Sequence, residues 1–145
     1  MRPERLLPII VVIVGAAAFF SVYQKKTQPV PIPPELAGQP GPTLFFQHDC
    51  VTCHTVSTLP KARGTLGPGL DDVGHRAETL DPEGGGKAYL RQSLLEPGAV
   101  VRQGFVNAMP SFAGKMSEQE LEQLIDWLST LRVSPSPTPT PRRSP

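Results

Sequence analysis

The chain has 145 residues, a formal net charge of +1, 18 prolines and only two cysteines. That length holds one domain plus appendages, and a nearly balanced charge makes a nucleic-acid partner unexpected. Only five prolines fall between Thr43 and Val133, which predicts a folded unit of about 90 residues flanked by segments that cannot build a core. A core that small is marginal by itself, and a large apolar cofactor or a metal would add to it.

Leu6 to Tyr23, "LLPIIVVIVGAAAFFSVY", carries no charge; Arg2 and Arg5 precede it, and Lys25 and Lys26 follow. As a helix it spans about 27 Å, just short of a hydrocarbon core of about 30 Å. Residues 6–23 are therefore read as a transmembrane anchor, with residues 1–5 as a short cytoplasmic end. The rival reading is a signal peptide cut after Ala18. The anchor is favoured because the apolar run continues through Phe19, Phe20, Val22 and Tyr23, beyond the usual signal length. Residues 24–42 read as a proline-rich linker. Its stretch Thr27–Pro42 favours polyproline II and could reach roughly 50 Å from the membrane.

Residues 43–133 read as the domain. A first helix is predicted over "TLFFQHDC", after Gly41-Pro42, with Leu44, Phe45 and Phe46 apolar. "GKAYLRQSLLEPG" predicts a second, with Tyr89, Leu90, Ser93 and Leu94 on one face and Pro97-Gly98 as its stop. "MSEQELEQLIDWLSTL" predicts the last. Ser117 is its N-cap, Glu120 completes a capping box, and Met116 sits at the staple position opposite Leu121. Leu121, Leu124, Ile125 and Leu128 form its buried stripe, with Trp127 beside it. No run alternates at period two. The expected fold is all-α with long loops, and such loops need something to wrap around. Residues 134–145 alternate Ser/Thr with Pro and carry two arginines, a solvated basic tail.

Both cysteines lie in "DCVTCHTV", Asp49 to Val56, with His54 directly after the second. A thioredoxin-like redox site requires a βαβ context, which is missing. A structural zinc site requires a second ligand pair, and adjacent Cys53 and His54 cannot easily share one tetrahedral metal. A Cys50–Cys53 disulfide is chemically allowed but closes too short a loop to constrain much. C-x-x-C-H is also the attachment signature of c-type haem. On one helical turn the two thiols can reach the two vinyl groups of one porphyrin edge, and the next residue, His54, can reach the iron. An apolar export or anchor segment and a loop-rich helical domain favour that reading.

From these residues onward the sequence resembles the class I c-type cytochromes, here monohaem and membrane-anchored. The likeness covers Thr43 to Val133. It rests on "LFFQHDCVTCH", on "LGPGL" (Leu66 to Leu70), on "NAMPSF" (Asn107 to Phe112) and on the final "LIDWL". It implies a small cytochrome c-like domain holding one covalent haem c, tethered by Cys50 and Cys53, with His54 as proximal iron ligand. The Pro68 carbonyl is the implied acceptor for the His54 ring N–H, in the manner of an outer-shell partner that fixes a ligand's tautomer. Met109 is the implied sixth ligand, a soft thioether that raises the potential relative to a second imidazole. Met116, His48 and His75 are its rivals. Met116 is explained by its staple role, and His48 lies too near Cys50 to reach the opposite haem face. The family crosses its first and last helices at an aromatic contact, here Phe46 against Leu124 and Trp127. Family members often carry Gly at that crossing, whereas the matching position is Pro42.

Other residues have quieter readings. Leu70, Tyr89, Leu94, Val101 and Phe105 pack on haem or core, Asn107 orders the axial loop, and Arg91 and Arg102 are either propionate partners or solvated cations. A haem with both axial positions filled leaves no place for substrate, so the resemblance implies one-electron transfer and no enzyme activity of its own. The domain holds eight Lys/Arg against eleven Asp/Glu, net −3. Lys61, Arg63 and Lys115 fall in the two loops framing the expected haem edge, a positive rim on an acidic body. The expected role is a shuttle, or a subunit of a redox complex, among membrane electron-transfer complexes: a quinol-oxidising complex, a terminal oxidase or a photosynthetic reaction centre. The expected location is the bacterial cytoplasmic membrane, single-pass, with the haem domain on the periplasmic or extracellular side. The competing class is a haem peroxidase or gas-binding sensor with Met109 unbound.

Overall fold

The computed structural model describes residues 7–26, 30–81 and 83–132. The expected cytoplasmic end, 1–5, and the tail, 134–145, lie outside them. Among the described residues six α-helices run α1 (Leu7–Lys26), α2 (Pro40–Gln47), α3 (Cys50–Cys53), α4 (Val73–Leu80), α5 (Lys87–Leu95) and α6 (Glu118–Thr130). The described residues hold no strand, only one antiparallel bridge between Thr55 and Arg63. The all-α expectation holds.

The apolar N-terminal run is helical, as α1. Residues 11–21 of it are exposed around the whole circumference, including Val11, Val12, Ile13, Val14 and Phe20. Side chains are described for only this part of α1. Among the described residues no helix is long and apolar enough to cross a membrane.

The core lies where α2, α4 and α5 meet α6. Phe45, Phe46, Leu124 and Ile125 are fully buried, each stabilising the fold by roughly 1.5–3 kcal/mol. α6 forms as its sequence predicts. Ser117 accepts from the Glu120 N–H, and the Glu120 carboxylate accepts from the Ser117 N–H at 2.8 Å. Leu121, Leu124, Ile125 and Leu128 are its buried residues.

Three expectations need correction. The first helix starts at Pro40, not after Pro42, because Pro occupies its first turn, where the missing N–H costs nothing. The glycine at the crossing therefore exists: it is Gly41. A Cβ there would collide with Cβ and Cγ of Trp127 and stand 3.2 Å from its Cδ2. The aromatic contact at the crossing is Phe45, edge-on to Trp127 at 5.3 Å and 62°, while Phe46 faces fully inward. Adjacent helical side chains point about 100° apart, so Phe45 and its neighbour Phe46 cannot both face Trp127.

Residues 30–39, read from the sequence as linker, pack on the domain. Pro33 and Leu36 are buried, Val30 rests on the core, and Leu36 O accepts from Thr43 Oγ1 at 3.1 Å. α4 carries no pattern that predicts it from sequence. Its buried residues are Val73, Gly74 and Ala77, too small to look like an apolar stripe. Small residues are what its place demands: a Cβ on Gly74 would lie 2.7 Å from Ser129 C and 3.1 Å from Leu128 O at the end of α6.

Candidate functional site

α2 ends at Gln47, and Asp49 then takes a left-handed conformation, φ 56°. Asp tolerates that region better than most residues. The break re-aims the chain, so the single turn of α3 carries Cys50 at its start and Cys53 at its end. His54 follows in extended conformation, its N–H bonded to Cys50 O at 2.9 Å. Both thiols are free and half-buried. Burial pushes the Cys50 thiol up to about 12, with the Asp49 and Cys53 charges adding to it. A thiol held protonated is a poor redox nucleophile. Among the described residues, no group of three or more His, Cys, Asp or Glu side chains could hold a metal ion.

His54 is buried, and its Nδ1 lies 2.8 Å from Pro68 O. A carbonyl only accepts, so Nδ1 carries the proton and the Nε2 lone pair is left to coordinate. Burial lowers the His54 pKa below its ordinary value, with the Pro68 bond opposing the shift. The neutral imidazole is the form that binds a metal. Gly67 sits flat on the ring. A Cβ there would lie 2.7 Å from Nδ1, 2.9 Å from Nε2 and closer still to Cε1. Its N–H bonds Cys53 O at 2.8 Å, which closes the loop back onto α3.

The loop between them is tightly laced. Thr55 Oγ1 donates to Gly64 O at 2.7 Å, and Val56 N–H bonds Ala62 O at 3.2 Å. Buried Asp71 accepts from both the N–H and the hydroxyl of Ser57, at 2.7 and 2.6 Å. Lys61, at the tip, has φ 67°. Lys61 and Arg63 are exposed beside this lacing.

Met109 lies on a separate loop between α5 and α6, half-buried against the core. Met116 is half-buried ahead of α6, as a staple residue would be. His75 is exposed on α4, and His48 turns its ring edge-on to Phe112 at 5.9 Å and 82°. Asn107 lies against Gly98, where a Cβ would approach its Nδ2 to 2.9 Å. Of the packing residues, Leu70 and Leu94 are buried, Tyr89 and Phe105 half-buried, and Val101 exposed. Arg91 is not a free propionate partner. It bridges Glu118 and Glu122 of α6, while Lys87 pairs with Asp126 at 2.6 Å. Arg76, which the sequence did not single out, is half-buried, pairs with Asp72 and donates to Gly69 O at 2.8 Å. Burial lowers its pKa first, and the nearby Arg102 charge adds to that.

These residues fit a covalent haem. Two free thiols on one helical turn adjoin a neutral imidazole with one nitrogen committed and the other available. Leu66 and Val106, on the two flanking loops, are 55% and 71% exposed, as apolar side chains would be that cover an apolar group rather than one another. The family model for cytochrome c oxidase, cbb3-type, subunit III matches residues 38–128.

The chain belongs to that family.

No curated protein and no solved structure matches it. As a member of the cbb3-type subunit III family it carries a class I c-type cytochrome domain with covalently bound haem c and its iron. It is a c-type haem electron carrier, and a domain of this type implies an extracytoplasmic haem.

Proposed function

We propose that this cytochrome is a membrane-tethered one-electron carrier, with Cys50 and Cys53 as thioether tethers, His54 as proximal ligand and Met109 as sixth ligand. Bound haem supplies the Fe(III)/Fe(II) couple. The observation that carries the reading is the 2.8 Å contact of His54 Nδ1 with Pro68 O, one residue from the glycine that lies flat on the ring. Such an outer partner fixes ring orientation and raises ligand basicity. Met109 supplies a neutral thioether that favours Fe(II).

The oxidised protein should show a far-red Met–iron charge-transfer band. Its absence, together with tight cyanide or CO binding in the unperturbed protein, would replace this reading with a peroxidase or gas-binding one.

α1 is the proposed anchor, single-pass in a bacterial cytoplasmic membrane, with the haem domain on the periplasmic or extracellular side. Its exposed apolar circumference supports this. A tethered domain meets a membrane-bound partner at high effective concentration. The family's name points to a terminal oxidase as that partner. A quinol-oxidising complex fits as the electron source, and a photosynthetic reaction centre is the remaining partner class. Whether the chain shuttles or stays fixed in a complex follows from co-purification out of detergent extracts.

The proposed docking rim consists of exposed Lys61, Arg63 and Lys115. Pairing of Glu118, Glu122 and Asp126 to Arg91 and Lys87 supports it, because those acids then oppose the rim less. Reduction by an acidic partner should slow as salt rises. A flat or rising salt response removes the rim from the proposal.

A further inference from the structure

The loop bearing Met109 supports itself poorly. Between Pro97 and Pro110 its backbone bonds are local turns: Ala99 N–H to Glu96 O, Phe105 N–H to Arg102 O and Ala108 N–H to Val106 O. Hydrogen bonds to the rest of the domain begin two residues after Met109. Ser111 Oγ donates to Leu95 O at 2.6 Å, and Phe112 N–H donates to Leu94 O at 3.0 Å. Both acceptors are carbonyls at the end of α5, left over by the helix itself. Two bonds at neighbouring residues fix a point on the strap but not its rotation about that point.

A side chain at that point makes a further contact. Phe112 is buried, and its ring meets His48 edge-on at 5.9 Å and 82°. Lys115 Nζ lies 5.9 Å from the centroid of the same ring. His48 caps the end of α2, with its N–H on Leu44 O, and its carbonyl stands 3.8 Å from Cys50 Sγ. One ring contact thus joins the segment that carries the first cysteine to the strap that carries Met109.

We propose that His48 and Phe112 form a clasp that orients the Met109 strap, making both of them positioning residues for the sixth iron ligand. This rests on the reading of Met109 as that ligand. Edge-to-face ring pairs contribute beyond the area they bury, and the contribution depends on geometry. Strap orientation then stands in competition with any external ligand for the iron.

The test uses the full-chain holoprotein with imidazole as the probe. Met109→Ala should abolish the far-red band and bind imidazole without competition from a thioether. His48→Ala should weaken that band and raise imidazole affinity about three- to ten-fold. His48→Phe keeps an aromatic edge and should stay close to the parent. A role in stability alone would lower the thermal midpoint of His48→Ala while leaving its band and imidazole affinity unchanged, and that result overturns the clasp. Imidazole binding by His48→Phe as strong as by His48→Ala overturns it too. A Met109→Ala protein that keeps its band and potential removes the ligand reading beneath it. Loss of the band in Met109→Ala with an unmoved His48→Ala removes the clasp alone.

Discussion

From Cys50 to Pro68 the chain is tied across itself at nearly every turn, whereas from Pro97 to Pro110 it is tied only to its immediate neighbours. The first region buries His54 and fixes its ring by a carbonyl on one nitrogen and a glycine against its face. The second leaves Met109 half-buried on an exposed strap held from its far end. The two regions are thus held by different physics: one by close packing, which tolerates no added atom, the other by a few contacts that can be adjusted singly. On the proposed ligation, the rigid side preserves the covalent attachment and the compliant side sets the potential.

That contrast can be broken from either side. The largest effect is expected from replacing both Cys50 and Cys53 by Ala. The haem should become fully extractable by acid–acetone, and a haem stain on a denaturing gel should vanish. Met109→Ala comes next. It should lower the reduction potential and open the distal position while haem stays covalently attached, which spectroelectrochemistry and mass together would show. Gly67→Ala probes the packed side. Its Cβ has nowhere to go but into His54, and the cost should be about 1–3 kcal/mol by chemical denaturation, with a disturbed haem spectrum. Gly104 is the matching test on the strap. It has φ 89° but nothing within 4 Å of a built Cβ, so Gly104→Ala should cost only about 1 kcal/mol of backbone strain and leave the spectrum alone.

Acid should also discriminate between the two sides. The folded pKa of His54 lies below its ordinary value of 6.5. The unfolded chain therefore takes up the proton first, and the contribution of His54 is complete above 6.5 and is lost as pH falls from there toward the folded pKa. A thioether has no such proton to gain. Denaturation curves of the haem-free protein, in which Nε2 is uncoordinated, should shift to lower denaturant below that pH. The smallest effect belongs away from both regions. Arg91→Ala removes exposed ion pairs to α6 and should leave both the reduction potential and the thermal midpoint near those of the parent.

How much could be read in advance varied with the range of the interaction. The capping box of α6 is local, spelled by Ser117 and Glu120, and forms as expected. α4 was illegible because a helix that packs through Gly74 and Ala77 shows no large apolar residues. The segment 30–39 looked like linker because proline content says nothing about whether Pro33 and Leu36 meet a surface. Cys50, Cys53 and His54 stand out by motif spacing, whereas Pro68 and Met109 stand out only through the resemblance to the cytochromes. The clasp does not stand out, since nothing in the chain marks His48 and Phe112, 64 positions apart, as neighbours.

By itself, the sequence determined what depends on covalent order: two thiols and an imidazole within one turn, a proline carbonyl fourteen residues on, a methionine on a proline-bounded loop. Those separations are set by the chain and survive any packing. Tertiary structure decided what depends on which faces meet. It placed Gly41 rather than position 42 against Trp127, committed Arg91 to α6, laid Gly67 on the His54 ring and hung the Met109 strap from α5 and His48. Contacts of that kind depend on side-chain volumes and rotations of about 100° per residue, which no local motif encodes.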